Sequence, residues 1–581
     1  MMSAVVRMNE AQRHRGPDDE GIASCGRVVL GNTRLAIIDT TAAGHQPMND
    51  PETGNWITYN GETYNFKDLR DEIGGEWVST TDTEVVLRGY RKWGVDLFRR
   101  MRGMFALAIW DEQGQKLLLA RDPLGIKPLY YYATKNLVVF ASELRALLAS
   151  GLMPRRLSSA GVDSYLTYGS VAAPFTIIEG IKQLLPGHYL EVNANEVRDV
   201  EFAVSTHEDV PSNRNDAVAR LRSELEESVR FHLVSDVPLG VFLSGGMDSS
   251  ALVALMSRDR QPKTFSIVFD EPNFTEAMFS RAVAERFDTD HSEIRLNEDR
   301  LLRILPEAIA SIDQPTMDGI NTFVVSRAVK SAGITVALSG LGGDELFGGY
   351  PSFRRALKLA AMPEVSKRVL HAVSGVGKVV LNGSVQRHKF WQLVNSDGGP
   401  EDVYRISRQL FSNKAVTRTK STDEDVVNAM SRLELQGYMA NTLLRDTDAM
   451  SMAHSLEVRV PFVDKKVVGY VLSLPGEWKL SNGAGPKPLL ADAVSDLLPR
   501  EFMRRPKMGF TLPFEKWLQQ NLRSEVSSVL EDETRVGATG LSAEEVRGVW
   551  GKFLRKPRAV GWTRPWALYV LVKWCEINSV V

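Results

Sequence analysis

Cysteine is scarce: 581 residues contain two, Cys25 and Cys575. That excludes a disulfide scaffold, and neither has a second cysteine or histidine at metal-ligand spacing. No stretch approaches the ~20 consecutive apolar residues that cross a bilayer, and the N-terminus has no apolar signal core, so a cytoplasmic protein without a membrane partner is expected. Charge of one sign is lacking too: 70 Lys and Arg stand against 72 Asp and Glu, a net of −2. A near-neutral balance argues against a nucleic-acid partner gripped through its phosphates. No period of 20–50 residues is visible, which excludes a repeat architecture. What is present is 43% apolar and 24% charged residues, a mixture that folds into large cores and, at this length, into more than one domain.

The first third is β-rich. Short β-branched or aromatic runs (Arg27–Leu30, Trp56–Tyr59, Met104–Trp110, Lys116–Ala120, Leu137–Ala141) lie between Gly, Pro and Asn turn signals. Helical patterns cover Val5–Gln12, Phe66–Ile73 and Thr83–Trp93. Apolar density falls near 195–213, which divides the chain into residues 1–200 and 214–581. Beyond the boundary, apolar strands at Leu239–Leu243, Lys263–Phe269, His291–Leu296 and Ile334–Leu338 alternate with helical stretches. That rhythm predicts a parallel, doubly wound α/β sheet. After Tyr350 the pattern is mostly helical, and Trp562, Trp566, Tyr569 and Trp574 read as core.

Two strand ends carry chemistry. Leu239-Gly-Val-Phe-Leu runs into Ser244-Gly-Gly-Met-Asp-Ser-Ser250, where a helix opens. Adjacent glycines let backbone N–H groups approach a ligand, and a helix start attracts an anion. Asp248 beside a phosphate makes sense through a bridging Mg²⁺. Ile334–Leu338 repeats the logic with Ser339-Gly-Leu-Gly-Gly-Asp-Glu-Leu-Phe-Gly-Gly-Tyr350. Ligands of open α/β sheets sit beyond the carboxyl ends of strands at a switch point, so Asp248 and Asp344 are expected to share one Mg²⁺.

The Ser-Gly-Gly-Met-Asp-Ser-Ser element resembles the pyrophosphate loop of the N-type ATP pyrophosphatases. The longer series narrows the choice: His14-Arg-Gly-Pro-Asp-Asp-Glu-Gly21, Arg34–Asp39, Asn60-Gly-Glu-Thr-Tyr-Asn65, Thr81-Asp-Thr-Glu84, Arg121–Tyr130, Leu444–Phe462 and Arg505–Phe510. Their order resembles that of the glutamine-hydrolysing asparagine synthetases, from about residue 8 to the C-terminus. The resemblance implies an N-terminal Ntn-hydrolase-like αββα sandwich, lacking its first strand, followed by the doubly wound synthetase sheet with a helical C-terminal part. It implies ATP and Mg²⁺, aspartate or another carboxylic acid, and glutamine or ammonia; the oligomeric state is left open, a homodimer being one option.

Carried over motif by motif, glutamine is expected at Arg34, Leu35, Ala36, Ile37, Ile38, Asn60, Gly61, Glu62 and Asp82. Arg34 suits a bidentate carboxylate clamp, Asp82 an ammonium partner, and Asn60 with the Gly61 N–H an oxyanion hole. ATP is expected along Leu243, Ser244, Gly245, Gly246, Asp248, Ser249, Ser250, Ile267, Ser339 and Gly340, with Lys487 beside the reacting phosphate. Lys487, Asp248 and Asp344 are the catalytic expectation.

Two departures stand out. The family nucleophile is a terminal cysteine, whereas this sequence opens Met1-Met2-Ser3. Cys25 cannot replace it, because the mechanism needs amine and thiol on one residue. Either the true start lies upstream, which the intact glutamine-side residues favour, or the enzyme depends on free ammonia; as written, the sequence is expected to lack glutaminase activity. The second departure is Leu341, at an adenylate position where an acidic residue is common in the family. Leucine cannot accept a proton, which opens the alternative of a different acid substrate. A non-catalytic glutamine or ATP sensor is the third reading. Arg445, Asp446, Asp448, Glu457 and Arg459, read as interrupting a helical run, either line the acid or ammonia path or form a buried ion network.

Overall fold

The computed structural model describes residues 1–203, 209–269, 277–363, 385–396, 398–411, 425–480, 485–503 and 512–581. The Arg505–Phe510 motif lies outside them. In the first part, β1 (Asp19–Cys25), β2 (Val28–Arg34), β3 (Met48–Asn49), β4 (Trp56–Thr63), β5 (Gly103–Asp111) and β6 (Lys116–Arg121) come first. β7 (Tyr130–Ala133), β8 (Val138–Ala141), β9 (Ile181–Gln183), β10 (His188–Val192) and β11 (Val197–Glu201) complete it. An antiparallel sheet runs in the order β11-β10-β6-β5-β4-β3, beside a sheet β8-β7-β9 and the hairpin β1-β2.

Alternation along β5 shows how these layers arise. Ala106, Ala108 and Trp110 pack with Leu30, Leu119, Tyr131 and Leu190 between the sheets. Leu107 and Ile109 point the other way, onto Val85, Val86 and Tyr90 of the helix Asp82–Trp93. Successive strand residues face opposite sides, so one sequence serves two cores. Thr81 starts that helix by accepting the Thr83 N–H, and acidic Asp82 and Glu84 sit in its first turn, where the helix dipole favours them. On the far side Met8 of the helix Met2–Ala11 and Leu144 and Leu147 of the helix Leu144–Ala149 cover Val139 and Ala141. The order is helix, sheet, sheet, helix, as expected. Among the described residues β2 bonds only β1 and β8 only β7, so each keeps a free edge.

The second sheet comprises β12 (Leu239–Phe242), β13 (Lys263–Phe269), β14 (Asp290–Leu296), β15 (Val336–Leu338) and β16 (Glu457–Arg459). It is parallel throughout, in the order β14-β13-β12-β15-β16. In chain order that is 3-2-1-4-5, and the winding reverses between β12 and β15, the switch point at which ligands bind. The helices Arg214–His232 and Met247–Met256 cover one face through Leu221, Leu225, Leu252 and Leu255. Val329 of the helix Ile320–Ser331 packs on the other, with Phe265, Ala337 and Val458.

One expectation fails here. Glu457 and Arg459 belong to no helical run; the helix Leu444–Met452 ends, Ser455 takes a left-handed conformation (φ 52°), and the chain becomes the edge strand β16. Pairing with β15 overrides local preference, as three paired residues and their burial outweigh a few tenths of a kcal/mol of propensity. Trp566, Tyr569 and Trp574 are core residues of the helix Thr563–Asn578, and Trp562 stacks on Phe514 at 4.9 Å.

Candidate active sites

The serine–glycine corners after β12 and β15 meet. Gly245 has φ +69°, and a Cβ there would lie 2.7 Å from the Ser280 backbone nitrogen, so only glycine fits both the turn and the approach. A Cβ on Gly340 would lie 2.9 Å from the Asp248 Cβ, which measures how closely the two corners abut. Ser244 Oγ accepts the Gly246 N–H at 3.2 Å and sits 3.1 Å from Ser249 Oγ, ordering the turn into the helix. Together they open onto a cavity of about 610 Å³ lined by Leu243, Ser244, Asp248, Ser249, Ile267, Ser339, Gly340 and Leu341. Ser250 is different: it is fully buried, and its N–H is bonded to the Gly246 carbonyl, so it supports the helix and does not face the cavity.

Lys487 reaches two wall residues of this cavity, Asp248 and Asp344, from the far part of the chain. Its Nζ lies 2.6 Å from Asp248 Oδ1 and 2.6 Å from Asp344 Oδ1. The residue is left-handed (φ 49°) at the start of the helix Pro488–Ala493 and almost fully buried. Burial alone would lower the ammonium's pKa, but Asp248 and Asp344 outweigh it and hold it above its ordinary value. Two carboxylates thus converge on one cation. Glu345, in the motif that follows β15, lines the same cavity; burial pushes its carboxyl up to about 7 against the Tyr350 hydroxyl bond at 2.5 Å. Asp318, Asn321, Thr322 and Tyr350 also line it and were not expected there; Asp446, for which the acid path was one of two readings, lines it as well.

A second cavity, of about 170 Å³, lies in the first part and is lined by Arg34, Leu35, Ile37, Ile38, Asn60, Gly61, Glu62, Asp82 and Ser142. Ala36 is not among its walls; its N–H donates to Asp18. Gly61 has φ +153°, and a Cβ there would lie 2.1 Å from the Met104 carbonyl oxygen. Asn60 Nδ2 donates to Ser142 Oγ at 3.1 Å. Arg34 departs from the expected clamp: its two terminal nitrogens donate to the carbonyls of Ile38, Asp39 and Thr41, holding the 38–41 loop. Asp82 is similarly committed, accepting from the Thr63 N–H at 2.8 Å and the Thr81 hydroxyl at 3.3 Å. Burial pushes Asp82 up to about 6 against those bonds. Cys25 takes no part; it is packed between the sheets with Trp110, and burial pushes its thiol up to about 11.

Beside the smaller cavity, whose walls include Arg15, Glu62 and Glu457, runs a buried ladder of alternating charge. Arg15 pairs with Glu143 (2.9 Å) and Asp448 (2.7 Å), and Lys127 with Asp448 (3.4 Å) and Glu457 (3.5 Å). Arg459 then pairs with Glu457 (2.8 Å) and with Glu62 (3.4 Å), which lines the smaller cavity. Of the two readings left open for this cluster, the ion network is what the contacts show for Asp448, Glu457 and Arg459, whereas Asp446 also faces the larger cavity. Arg15 and Lys127 were missed because their partners lie more than 100 residues away, Asp448 more than 300 from either.

The family comparisons define the class, an amidotransferase domain joined to a ligase domain. The family of glutamine amidotransferase domains matches residues 1–203, and the asparagine synthase family matches residues 220–576. The chain belongs to the asparagine synthase family, whose ligase part amidates a carboxylate with ATP. It is 31% identical to asparagine synthetase (glutamine-hydrolyzing) 1 of Bacillus subtilis, over 91% of this chain and 87% of the relative. A putative asparagine synthetase (glutamine-hydrolyzing) of Mycobacterium bovis is 32% identical, over 89% and 85%. Amidase chyE of Penicillium rubens is 27% identical, over 90% and 86%. Among the described residues no helix is long and apolar enough to cross a membrane.

Proposed function

We propose that the chain adenylates the side-chain carboxylate of aspartate and aminates it, giving asparagine, AMP and pyrophosphate. The observation that supports this most directly is the single hollow shared by the two serine–glycine corners, with Lys487 pinned between Asp248 and Asp344. A carboxylate oxygen attacks the α-phosphorus and the bond to pyrophosphate breaks. Ammonia then attacks the acyl carbon, and AMP leaves with the electron pair of the carbon–oxygen bond. Backbone N–H groups of the 244–249 corner bind the phosphates at the helix start, and Lys487 offsets charge growing on the leaving pyrophosphate. Leu243 and Ile267 give the base an apolar wall, and Ser339 and Gly340 the opposite rim.

Asp248 and Asp344 suit Mg²⁺: they already converge on one cation, and Mg²⁺ takes one or two carboxylates with phosphates and water. Bound there, it supplies charge neutralisation of the phosphates. The functional units in this reading are residues 1–200, a boundary one residue short of the end of β11 at Glu201, and 214–581, which begins with a helix capped by Asn213. Nitrogen is ammonia, free or released from glutamine held in the smaller cavity.

Purified protein with ATP, Mg²⁺, aspartate and an ammonium salt tests the reading. Asparagine, AMP and pyrophosphate in equal amounts support it; ADP and phosphate, or nucleotide cleavage indifferent to any acid, contradict it. A different carboxylic acid is the second reading, favoured by Leu341 on the cavity wall. Pyrophosphate release across a panel of amino, sugar and peptide acids separates the two.

A further inference from the structure

Glu62 stands where the two halves of the chain meet. It follows Gly61 in β4, is 4% exposed, and lines the smaller cavity. Its Oε1 is 3.4 Å from Arg459 Nη2, and among the described residues its Oε2 has no hydrogen-bond partner. A buried carboxylate oxygen without a partner is costly unless something supplies one. Asp82, the acid next to it in the cavity wall, has its oxygens engaged by Thr63 and Thr81.

Arg459 is fully buried and held at two of its three side-chain nitrogens, Nη2 making no hydrogen bond among the described residues. Nε donates to Glu457, Nη1 donates to the carbonyls of His232 (2.9 Å) and Val234 (2.6 Å), and its own carbonyl accepts the Ser339 N–H at 2.9 Å. The side chain is therefore a rigid cation delivered by β16 of the ligase sheet to the wall of the amide-donor cavity. Other charges facing Glu62 are Glu457, Asp82 and Lys127, and Arg459 is the foremost group opposing the burial that raises its carboxyl.

We propose that Arg459 is a positioning residue for the amide-donor cavity: paired with Oε1, it holds the Glu62 carboxyl in the cavity wall, where the α-ammonium of glutamine supplies the partner that Oε2 lacks. The ligase part would thus complete the glutamine site of the other part. This rests on the proposed reading that glutamine occupies the cavity. Glutamine recognition then depends on the sheet that also carries the Ser339 corner, although no side chain of the nucleotide cavity touches glutamine.

Titration calorimetry of glutamine into the full chain, with the variants E62Q, R459M and E62Q/R459M, tests it as a double-mutant cycle. E62Q and R459M should each weaken binding by about 100-fold, the scale on which a buried charge pair fails when one partner is lost. The double variant should bind no more weakly than E62Q, because Arg459 acts through Glu62. R459K should recover part of the loss. If R459M does not fold, R459K and E62Q/R459K complete the cycle. Additive losses, or an R459 variant that binds glutamine as wild type, overturn the inference. Absence of glutamine binding in the wild type would instead overturn the reading of the cavity, and the inference with it.

Discussion

Replacing Lys487 by methionine removes one charge and leaves nearly the same volume. In the ligand-free protein Asp248 and Asp344 then face each other, both within 2.6 Å of the vacated position, with no cation between them. Loss of one partner from a buried ion cluster costs about 3–5 kcal/mol, and Asp248 is only partly buried, so the lower figure applies. The second effect is on rate. A preorganised cation aimed at charge that develops in the transition state is worth about 3–4 kcal/mol, or 10²–10³ in turnover. The two effects separate experimentally. Thermal melts with and without Mg-ATP read the first, and Mg-ATP should restore most of the lost stability because it resupplies positive charge to the two acids. Acid-dependent exchange of labelled pyrophosphate into ATP at saturating substrates reads the second. Turnover reduced by less than tenfold would refute the role given to Lys487, as would equal losses of stability with and without Mg-ATP.

Three other outcomes follow from the structure. G245A places a Cβ 2.7 Å from the Ser280 nitrogen in a left-handed residue, so the apparent affinity for ATP in pyrophosphate exchange should fall by about tenfold or more. Asp82 is pushed up to about 6 by burial. The folded form therefore keeps a proton that the unfolded chain releases near pH 4, and this group's contribution to stability falls as pH rises from about 4 to about 6. Urea melts at pH 4.5 and 7 should show D82N losing that part of the pH dependence; an unchanged difference would contradict the assignment. Cys25 and Cys575 are buried, with thiols pushed up to about 11 and about 12, so a thiol reagent should label neither until denaturant is added.

Much of this was legible in the sequence where the signal is local. The helix Phe66–Ile73 and the strands at Trp56, Met104, Lys116 and Lys263 follow from periodicity and turn residues. The two Ser-Gly corners were visible as strand-to-helix punctuation, and the parallel sheet placed them together. What local pattern could not show is pairing between segments far apart. β16 was read as helix because only contact with β15 makes it a strand. Arg34 looked like a substrate clamp because its type suits one, but three of its five donors go to carbonyls of its own loop. Glu62 was expected at the cavity for its place in the Asn-Gly-Glu motif. That a cation from residue 459 faces it depends on the packing of two separate sheets.

The account stands on formation of an acyl adenylate in the shared hollow, and oxygen labelling reads that bond directly. With ¹⁸O in the side-chain carboxylate of aspartate, ATP, Mg²⁺ and ammonium, one labelled oxygen should leave in the phosphate of AMP for each amide formed. Unlabelled AMP, or label carried into pyrophosphate or inorganic phosphate, would contradict it.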